Sequence, residues 1–280
     1  MRRIVSIDGE IFAPEAATIP AYDRGFLYGD AVFETLRSYR GEPHSLDLHV
    51  ARLLRSAERI QMPPLDASLI CTRVRAAFAA AREHGEDDGY ARIMVTRGSA
   101  PLGLALELAA VPRLVIFVEP LPPAPAYHVG VHAVTVPVLR AADGTKAAGA
   151  KVTNYLAAML ALAEAKSRGA QEAIVLDLDG RVIEGTTSNV FIVKGGVIRT
   201  PPEEVGLLAG ITRATVLEAV NVQLAPLLVA DLYDADEVFI TSSIREVVGV
   251  VLVDGRKVGT GKVGDMTRAV HAAYRARLNC

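Results

Sequence analysis

The sequence predicts an α+β protein, and three observations lead to that class. Short apolar runs joined by Asp-Gly and Gly-Gly turns alternate with helical stretches, but not in the regular strand–helix–strand order of a parallel sheet. The chain has 280 residues, 51% of them hydrophobic, enough for a large core or two modest ones. A proline-dense stretch, Glu119 to Tyr127, is the one break in composition. It is expected to be a connector, dividing a small N-terminal α/β domain (1–118) from a larger, β-rich C-terminal domain with helices (128–280), with 119–127 as linker.

The elements follow in order. IVSI, Asp8-Gly9 and EIFA read as a hairpin, because Asp-Gly supplies the positive φ angles of a tight turn. AVFETLRSY alternates as a strand. From Asp47 the period becomes helical, with Val50, Leu53, Leu54, Ala57 and Ile60 on one face until Met62-Pro63-Pro64. A second helix is predicted from Asp66 to His84, with Leu69, Ile70, Val74, Ala77 and Phe78 inward. ARIMVT and RLVIFVE are strands. After the connector come the strand VGVHAVTV and a polar loop, Arg140 to Asn154. A helix follows, with Leu156, Met159, Leu160 and Ala163 on one side. EAIVLD, RVIE, NVFIV and VIRT are short strands with turns at Asp179-Gly180 and Gly195-Gly196. GITRATVLEAV is a helix, VFITS a strand, and Asp265 is expected to cap a last helix.

Charge and cysteine content exclude several functions. Thirty basic against 32 acidic residues give a net charge of −2, which favours neither nucleic acid nor an acidic membrane as partner. Cys71 and Cys280 lie far apart without a CxxC spacing, so a reducing, cytoplasmic setting is expected. No stretch reaches the ~18 apolar residues of a membrane helix. His128 and His132, i and i+4 on a predicted strand, lack a third ligand, and no metal is called for. Gly103 and its neighbours form no dinucleotide loop, and His49 is expected to brace its helix.

Lysines narrow the search for chemistry. There are six, against 24 arginines. Lys166, Lys194, Lys257 and Lys262 sit at helix flanks, beside turns or in a Gly-rich stretch, where solvent would take them. Lys146 and Lys151 remain, both in the loop before Asn154-Tyr155. A lysine opening onto a site can attack a carbonyl when its amine is deprotonated.

The segment from Lys151 to Val193, with a lysine shortly before Asn154, a helix, Glu172-Ala173, an Asp-Gly hairpin and E-G-T-T-S-N (184–189), resembles the signature region of class IV, fold type IV, aminotransferases. DRGFLYGDAVFETLR, HVARLLRSAERI, GLLAGITR and VFITSSIREV are similar to that family's other blocks, in the same order, so the resemblance covers nearly the whole chain. It implies pyridoxal 5'-phosphate as cofactor, a ping-pong exchange of amino groups between an amino acid and a 2-oxo acid, and a homodimer. Lys151 would be the catalytic lysine that carries the cofactor, and Glu184 the acid that keeps its ring nitrogen protonated. For the phosphate the resemblance points to Arg52, to the N–H groups of Ile211 and Thr212 at a helix start, and to Thr241, Ser242 and above all Ser243. Tyr155 would meet the phenolate oxygen, though K-x-x-N-Y is one residue shorter than in the branched-chain members. Leu208 would pack on the ring. Arg55 and Arg59 are expected in solvent.

For the substrate the motifs divide. Tyr90-Ala91-Arg92 matches the Tyr-x-Arg of branched-chain members. Phe33-Glu34-Thr35-Leu36-Arg37 instead has threonine where they carry glycine, which narrows the pocket and resembles the D-amino-acid branch. The DRGFLYGD block and the lysine–asparagine spacing look closer to the D-amino-acid and aminodeoxychorismate lyase branches. The carboxylate trap of the D-branch is missing, because T-R-G-S-A-P is followed by Leu102-Gly103-Leu104, which cannot bind an anion. Arg92 is then the expected carboxylate partner, with Arg24 or Arg97 as lesser options, and Phe33, Leu102 and Leu104 as apolar lining. The balance falls on a D-amino-acid transaminase with an atypical pocket. An L-branched-chain aminotransferase and an aminodeoxychorismate lyase are the alternatives.

Overall fold

The computed structural model describes residues 1–83, 88–123, 126–137 and 149–278, and the fold is α+β. Two compact units divide the chain: Met1–Pro122 with Ala150–Asn154, and Pro123–Gly149 with Tyr155–Asn279.

In the first unit, β1 (Ile4–Ile7) and β2 (Glu10–Phe12) form the expected hairpin, with Asp8 and Gly9 at φ 52° and 102°. A short helix α1 (Arg24–Tyr28) precedes β3 (Ala31–Tyr39) and the two-residue β4 (Glu42–Pro43). Helices α2 (Leu46–Arg59) and α3 (Ala67–Ala81) follow, then β5 (Gly89–Thr96) and β6 (Arg113–Pro120). The strands make one sheet in the order β2-β1-β6-β5-β3-β4. Val32, Leu36, Ala91, Ile93, Val95, Ile116 and Val118 on one face pack with Val50, Leu53, Ala57, Ile70, Val74, Ala77 and Phe78 of α2 and α3. That burial removes most of the apolar area from water.

Several details correct the expectations. β3 does not simply alternate: eight of its nine residues are buried. Helix α3 stops at Ala81 because Arg82 turns extended, at ψ 133°. His84, the predicted end, lies outside the described residues. Leu69 points outward and is exposed, since Asp66 caps through Leu69 N–H and the inward stripe starts at Ile70. β6 runs to Pro120, two residues into the expected connector, because Glu119 and Pro120 still pair with Tyr90 and Gly89.

In the second unit, β7 (Val131–Pro137) is followed by α4 (Leu156–Ser167), β8 (Glu172–Leu176), β9 (Val182–Gly185), β10 (Asn189–Lys194) and β11 (Val197–Thr200). Then come α5 (Ile211–Ala219), β12 (Val222–Leu224), α6 (Val229–Asp234), β13 (Glu237–Ser242), β14 (Glu246–Val253), β15 (Arg256–Lys257) and α7 (Asp265–Ala276). Their sheet runs β12-β11-β10-β13-β14-β7-β8-β9, with β15 on β14. β14 is the strand that pattern reading passes over: EVVGVVLV is buried on both faces, so it does not alternate. His128 lies in a turn before β7, not on it.

Helix α4 turns Ala161 and Ala165 onto Val134, Val136 and Ala173. Its larger apolar side chains, Leu156, Met159 and Leu160, are exposed. Asp265 opens α7 but does not cap it. The carboxylate of Glu237 accepts the N–H groups of Met266 and Thr267 and the Thr267 hydroxyl, and so satisfies the first donors of the helix. Among the described residues no helix is long and apolar enough to cross a membrane, and no group of three or more His, Cys, Asp or Glu could hold a metal ion.

Candidate active site

Lys151 lies on a strap, Ala150–Asn154, that docks on the free edge of β3 in the first unit. Lys151 C=O accepts Phe33 N–H at 2.9 Å, Thr153 N–H donates to Ala31 C=O at 3.1 Å, and Val32 and Val152 form an isolated bridge. The Thr153 hydroxyl donates to Gly29 C=O at 2.8 Å. Gly29 takes φ 66°, and a Cβ there would lie 2.4 Å from Asn154 Oδ1, so glycine lets the strap close. Lys146 lies outside the described residues. Lys166, Lys194, Lys257 and Lys262 are exposed, as are Arg55 and Arg59.

Strand alternation then sorts the neighbours. Thr35 pairs with Arg92 and Arg37 with Tyr90, while Phe33 pairs with Met94, so these six share the face away from α2. The Arg92 guanidinium lies 3.9 Å from the Phe33 ring centroid and Lys151 Nζ 4.4 Å from the same centroid. Tyr90 Oη donates to Glu119 at 3.4 Å, and burial, with Glu119, pushes the phenol above its ordinary range. Phe33, Thr35, Tyr90, Arg92 and Lys151 thus form one strip. Leu102 and Leu104 are not in it, standing 69% and 80% exposed.

Arg24 and Arg97 are ruled out as carboxylate partners. Both donate Nε to Asp30 Oδ2, at 2.8 and 2.7 Å, and both are buried. Arg97 also donates to the carbonyls of Ile60 and Gln61, and Arg24 to Gly103 C=O. They tie the end of α2 and the 103–104 loop to the sheet. Burial pushes the Asp30 carboxyl up, but Arg97 and Arg24 bring it below its ordinary range.

The other face of β3 holds a group that sequence reading missed. Glu34, fully buried, accepts from Arg52 Nε and Nη2 and from His49 Nδ1, each at 2.7 Å. Burial alone would raise its carboxyl; Arg52 and His49 outweigh that and hold it down at about 2. Burial lowers His49 despite Glu34, with Arg52 and Lys151 adding to the shift. The available signal is a charge in phase with Val32 and Leu36, facing a helix that offers His49 and Arg52 at i, i+3. A carboxyl near 2 folded and near 4.5 unfolded contributes stability above the unfolded value, lost as pH falls from about 4.5 towards 2. Glu34→Gln is therefore expected to cost roughly 3–5 kcal/mol at neutral pH, because it strands a buried cation. Denaturant unfolding should show the wild-type advantage shrinking below about pH 4; an advantage independent of pH would refute the pairing.

In the second unit, Glu184 sits on β9 and its Oε2 accepts Leu208 N–H at 3.0 Å. Leu208 C=O in turn accepts Asn189 Nδ2 at 2.9 Å. The buried Glu172 shapes the loop between Glu184 and Asn189: it takes the Thr186 N–H and hydroxyl, the Ser188 hydroxyl and the Arg245 guanidinium. Sequence reading registers Glu172 only as part of a motif, since nothing local reveals partners 14 and 73 positions away. Ile211 and Thr212 open α5 with no side-chain cap, so the helix offers its first N–H groups to an acceptor. Gly210 abuts Asn189, where a Cβ would lie 2.0 Å from Oδ1. Asn189 pairs with Thr241, whose buried hydroxyl has no partner. Helix start and strand end are thereby neighbours. Ser242 Oγ accepts Arg245 N–H at 3.2 Å to close the turn holding Ser243. Tyr155 is the residue before α4 and is partly buried.

A profile of the amino-transferase class IV family matches residues 31–253. The chain is 34% identical to the branched-chain-amino-acid aminotransferase of Pseudomonas aeruginosa, over 97% of this chain and 91% of that one. It is 32% identical to the D-alanine aminotransferase of Bacillus licheniformis, over 96% and 95%. The crystal structure of the Escherichia coli branched-chain amino acid aminotransferase superposes with a TM-score of 0.91 at 29% identity, covering 98% of this chain and 94% of that one. The chain belongs to the class IV aminotransferases and is a pyridoxal-phosphate-dependent transaminase of fold type IV, acting on amino acids and 2-oxo acids.

Proposed function

We propose that this transaminase takes amino acids with apolar side chains, in the manner of the L-branched-chain enzymes, and holds the substrate carboxylate on Arg92. The observation that carries the Arg92 assignment is the Phe33 ring, flanked by the Arg92 guanidinium and by Lys151 Nζ, and the side-chain class is supported by the branched-chain enzymes among the relatives. Arg24 and Arg97 both bond to Asp30 and Arg37 stacks on Tyr39, whereas Arg92 stacks on the ring that also carries Lys151 Nζ, and its planar fork suits a bidentate carboxylate bond. Threonine at position 35, opposite Arg92, favours the D-amino-acid reading instead, because its side chain takes space that glycine would leave. The aminodeoxychorismate lyase reading gains no support from the strip.

The cofactor roles are proposals of the same kind, and the donor set fits the group. The uncapped start of α5 and the unpartnered Thr241 hydroxyl suit a phosphate. Ile211, Thr212, Ser242, Ser243 and Arg52 are the residues that would bind it. Glu184 would keep a proton on the ring nitrogen, Leu208 would cover the ring and Tyr155 would donate to its oxygen. When bound, pyridoxal phosphate supplies a ring that accepts the negative charge left on the substrate α-carbon. Lys151 Nζ would hold the cofactor covalently, take the α-proton and return it.

Homodimer formation is supported by the apolar face of α4, where Leu156, Met159 and Leu160 are 67%, 64% and 62% exposed. Light scattering should give twice the 29.8 kDa chain mass, and a monomer would refute pairing.

Arg92→Gln is expected to lower kcat/KM for a carboxylate substrate by roughly 10- to 100-fold, the worth of a charge-assisted hydrogen bond. It should leave the half-reaction with (R)-phenylethylamine, which has no carboxylate and needs no acceptor, nearly unchanged. Single-turnover spectra with D- and L-leucine, alanine and glutamate decide the enantiomer. Reaction with D-leucine alone would overturn the L-branched-chain reading in favour of the Thr35 argument. Pyruvate released from aminodeoxychorismate without an acceptor would favour the lyase.

A further inference from the structure

Ser56 lies on the face of α2 that carries His49 and Arg52, and is 2% exposed. Its hydroxyl is used twice: Oγ donates to Arg52 C=O at 3.0 Å and accepts the Lys151 N–H at 3.1 Å. The edge of β3 binds the strap through Lys151 C=O and Thr153 N–H. The N–H of residue 151 reaches the helix instead, through Ser56 Oγ.

We propose that Ser56 is a positioning residue for Lys151: its hydroxyl fixes the main chain at 151, and so the root of the side chain that ends in Nζ. The helix can serve as a reference because Glu34 grips it. By taking both His49 and Arg52, Glu34 locks α2 to β3, and the hydroxyl one turn beyond Arg52 meets the strap in a set register. Lys151 is thus held on three sides, by β3 through its carbonyl, by α2 through its amide, and by Phe33 under its ammonium. Nζ stands at the end of a four-carbon stem, so a shift at the root carries to the reacting nitrogen. A misplacement of about 1 Å at a reacting atom can cost on the order of 100-fold in rate, so a loosened strap has a measurable consequence. This inference rests on the reading of Lys151 as the cofactor lysine.

The test uses Ser56→Ala and Ser56→Thr in the full-length protein. In the apoprotein, hydrogen exchange of the 149–154 segment should quicken roughly tenfold in Ser56→Ala, while α3 and β5 keep their protection. In the holoenzyme, kcat should fall roughly tenfold with the KM for the amino donor within about twofold. Ser56→Thr, which keeps the hydroxyl, should restore both. Unchanged exchange at 151, faster exchange with kcat intact, or a threonine variant no better than alanine would each overturn the proposal. General loss of protection across the first unit would overturn it too, by making Ser56 a core residue only. Borohydride reduction separates the two readings: cofactor trapped on another lysine, with exchange at 151 still responding to Ser56→Ala, removes the premise and with it the proposal.

Discussion

Lys151→Ala is expected to abolish transamination, with kcat falling by about 10⁴-fold or more, and to remove the visible absorbance of the lysine-bound cofactor. Two separate losses add up to that size. A side chain that moves a proton at the reacting carbon is worth roughly 10²- to 10⁴-fold. A lysine that also forms the covalent link to the cofactor takes away a second contribution when it is deleted. The backbone bonds of the strap involve the N–H and C=O of residue 151, which alanine retains, so the fold around Phe33 and Ser56 should persist. The variant should then still bind pyridoxal phosphate as the free aldehyde, without the lysine-bound band, with an unfolding midpoint close to wild type. Lys146→Ala is the control and should keep both absorbance and turnover. Stopped-flow mixing with an amino donor reads both proteins. An active Lys151→Ala beside an inactive Lys146→Ala would reassign the nucleophile.

How far this could be read without coordinates depends on the range of the interactions. The hairpin at Asp8-Gly9, the α2 stripe and strands β7 to β11 and β13 of the second unit are written in local periods and turn residues, and they appear where the pattern puts them. Elements that fail to alternate are harder. β14 is apolar on both faces, and the inward side of α4 is its alanines while its leucines face out. Only the sheet behind α4 decides which stripe is core. Caps show the same limit, since Asp265 has the right type and place but the acceptor comes from Glu237 on β13.

The chemistry follows the same division. The roles proposed for Lys151 and Glu184 come from ordered blocks along the chain that resemble a family. The carboxylate partner is not, because Arg24, Arg92 and Arg97 look alike as letters. In the structure Asp30 engages Arg24 and Arg97, while Arg92 stacks on Phe33, which is what the proposed carboxylate role rests on. The roles of Glu34 and Glu172 are hard to read for a related reason. Each is a buried carboxylate whose meaning is its partners, and those come from other elements.

Glu184→Gln should separate charge from shape. Glutamine has nearly the same outline and keeps an oxygen that can accept the Leu208 N–H, the bond Glu184 makes at 3.0 Å. The loop before α5 should therefore stay in place and the unfolding midpoint should change little. What disappears is a negative charge on a carboxylate that is 6% exposed. Beside a protonated ring nitrogen, that charge is worth about 4 kcal/mol at 4 Å in a medium of effective dielectric near 20. Losing it favours the neutral ring, which withdraws electrons less well, so kcat should drop by roughly 10²- to 10³-fold while the cofactor remains bound. Glu184→Asp restores the charge but shortens the reach, and should recover part of the rate at some cost to the Leu208 bond. A glutamine variant with wild-type kcat would mean that the ring nitrogen does not depend on this carboxylate. A variant that lost cofactor binding in step with activity would place Glu184 in binding instead of charge control. The ratio of kcat loss to Kd loss for pyridoxal phosphate, measured on the same preparation, distinguishes these outcomes.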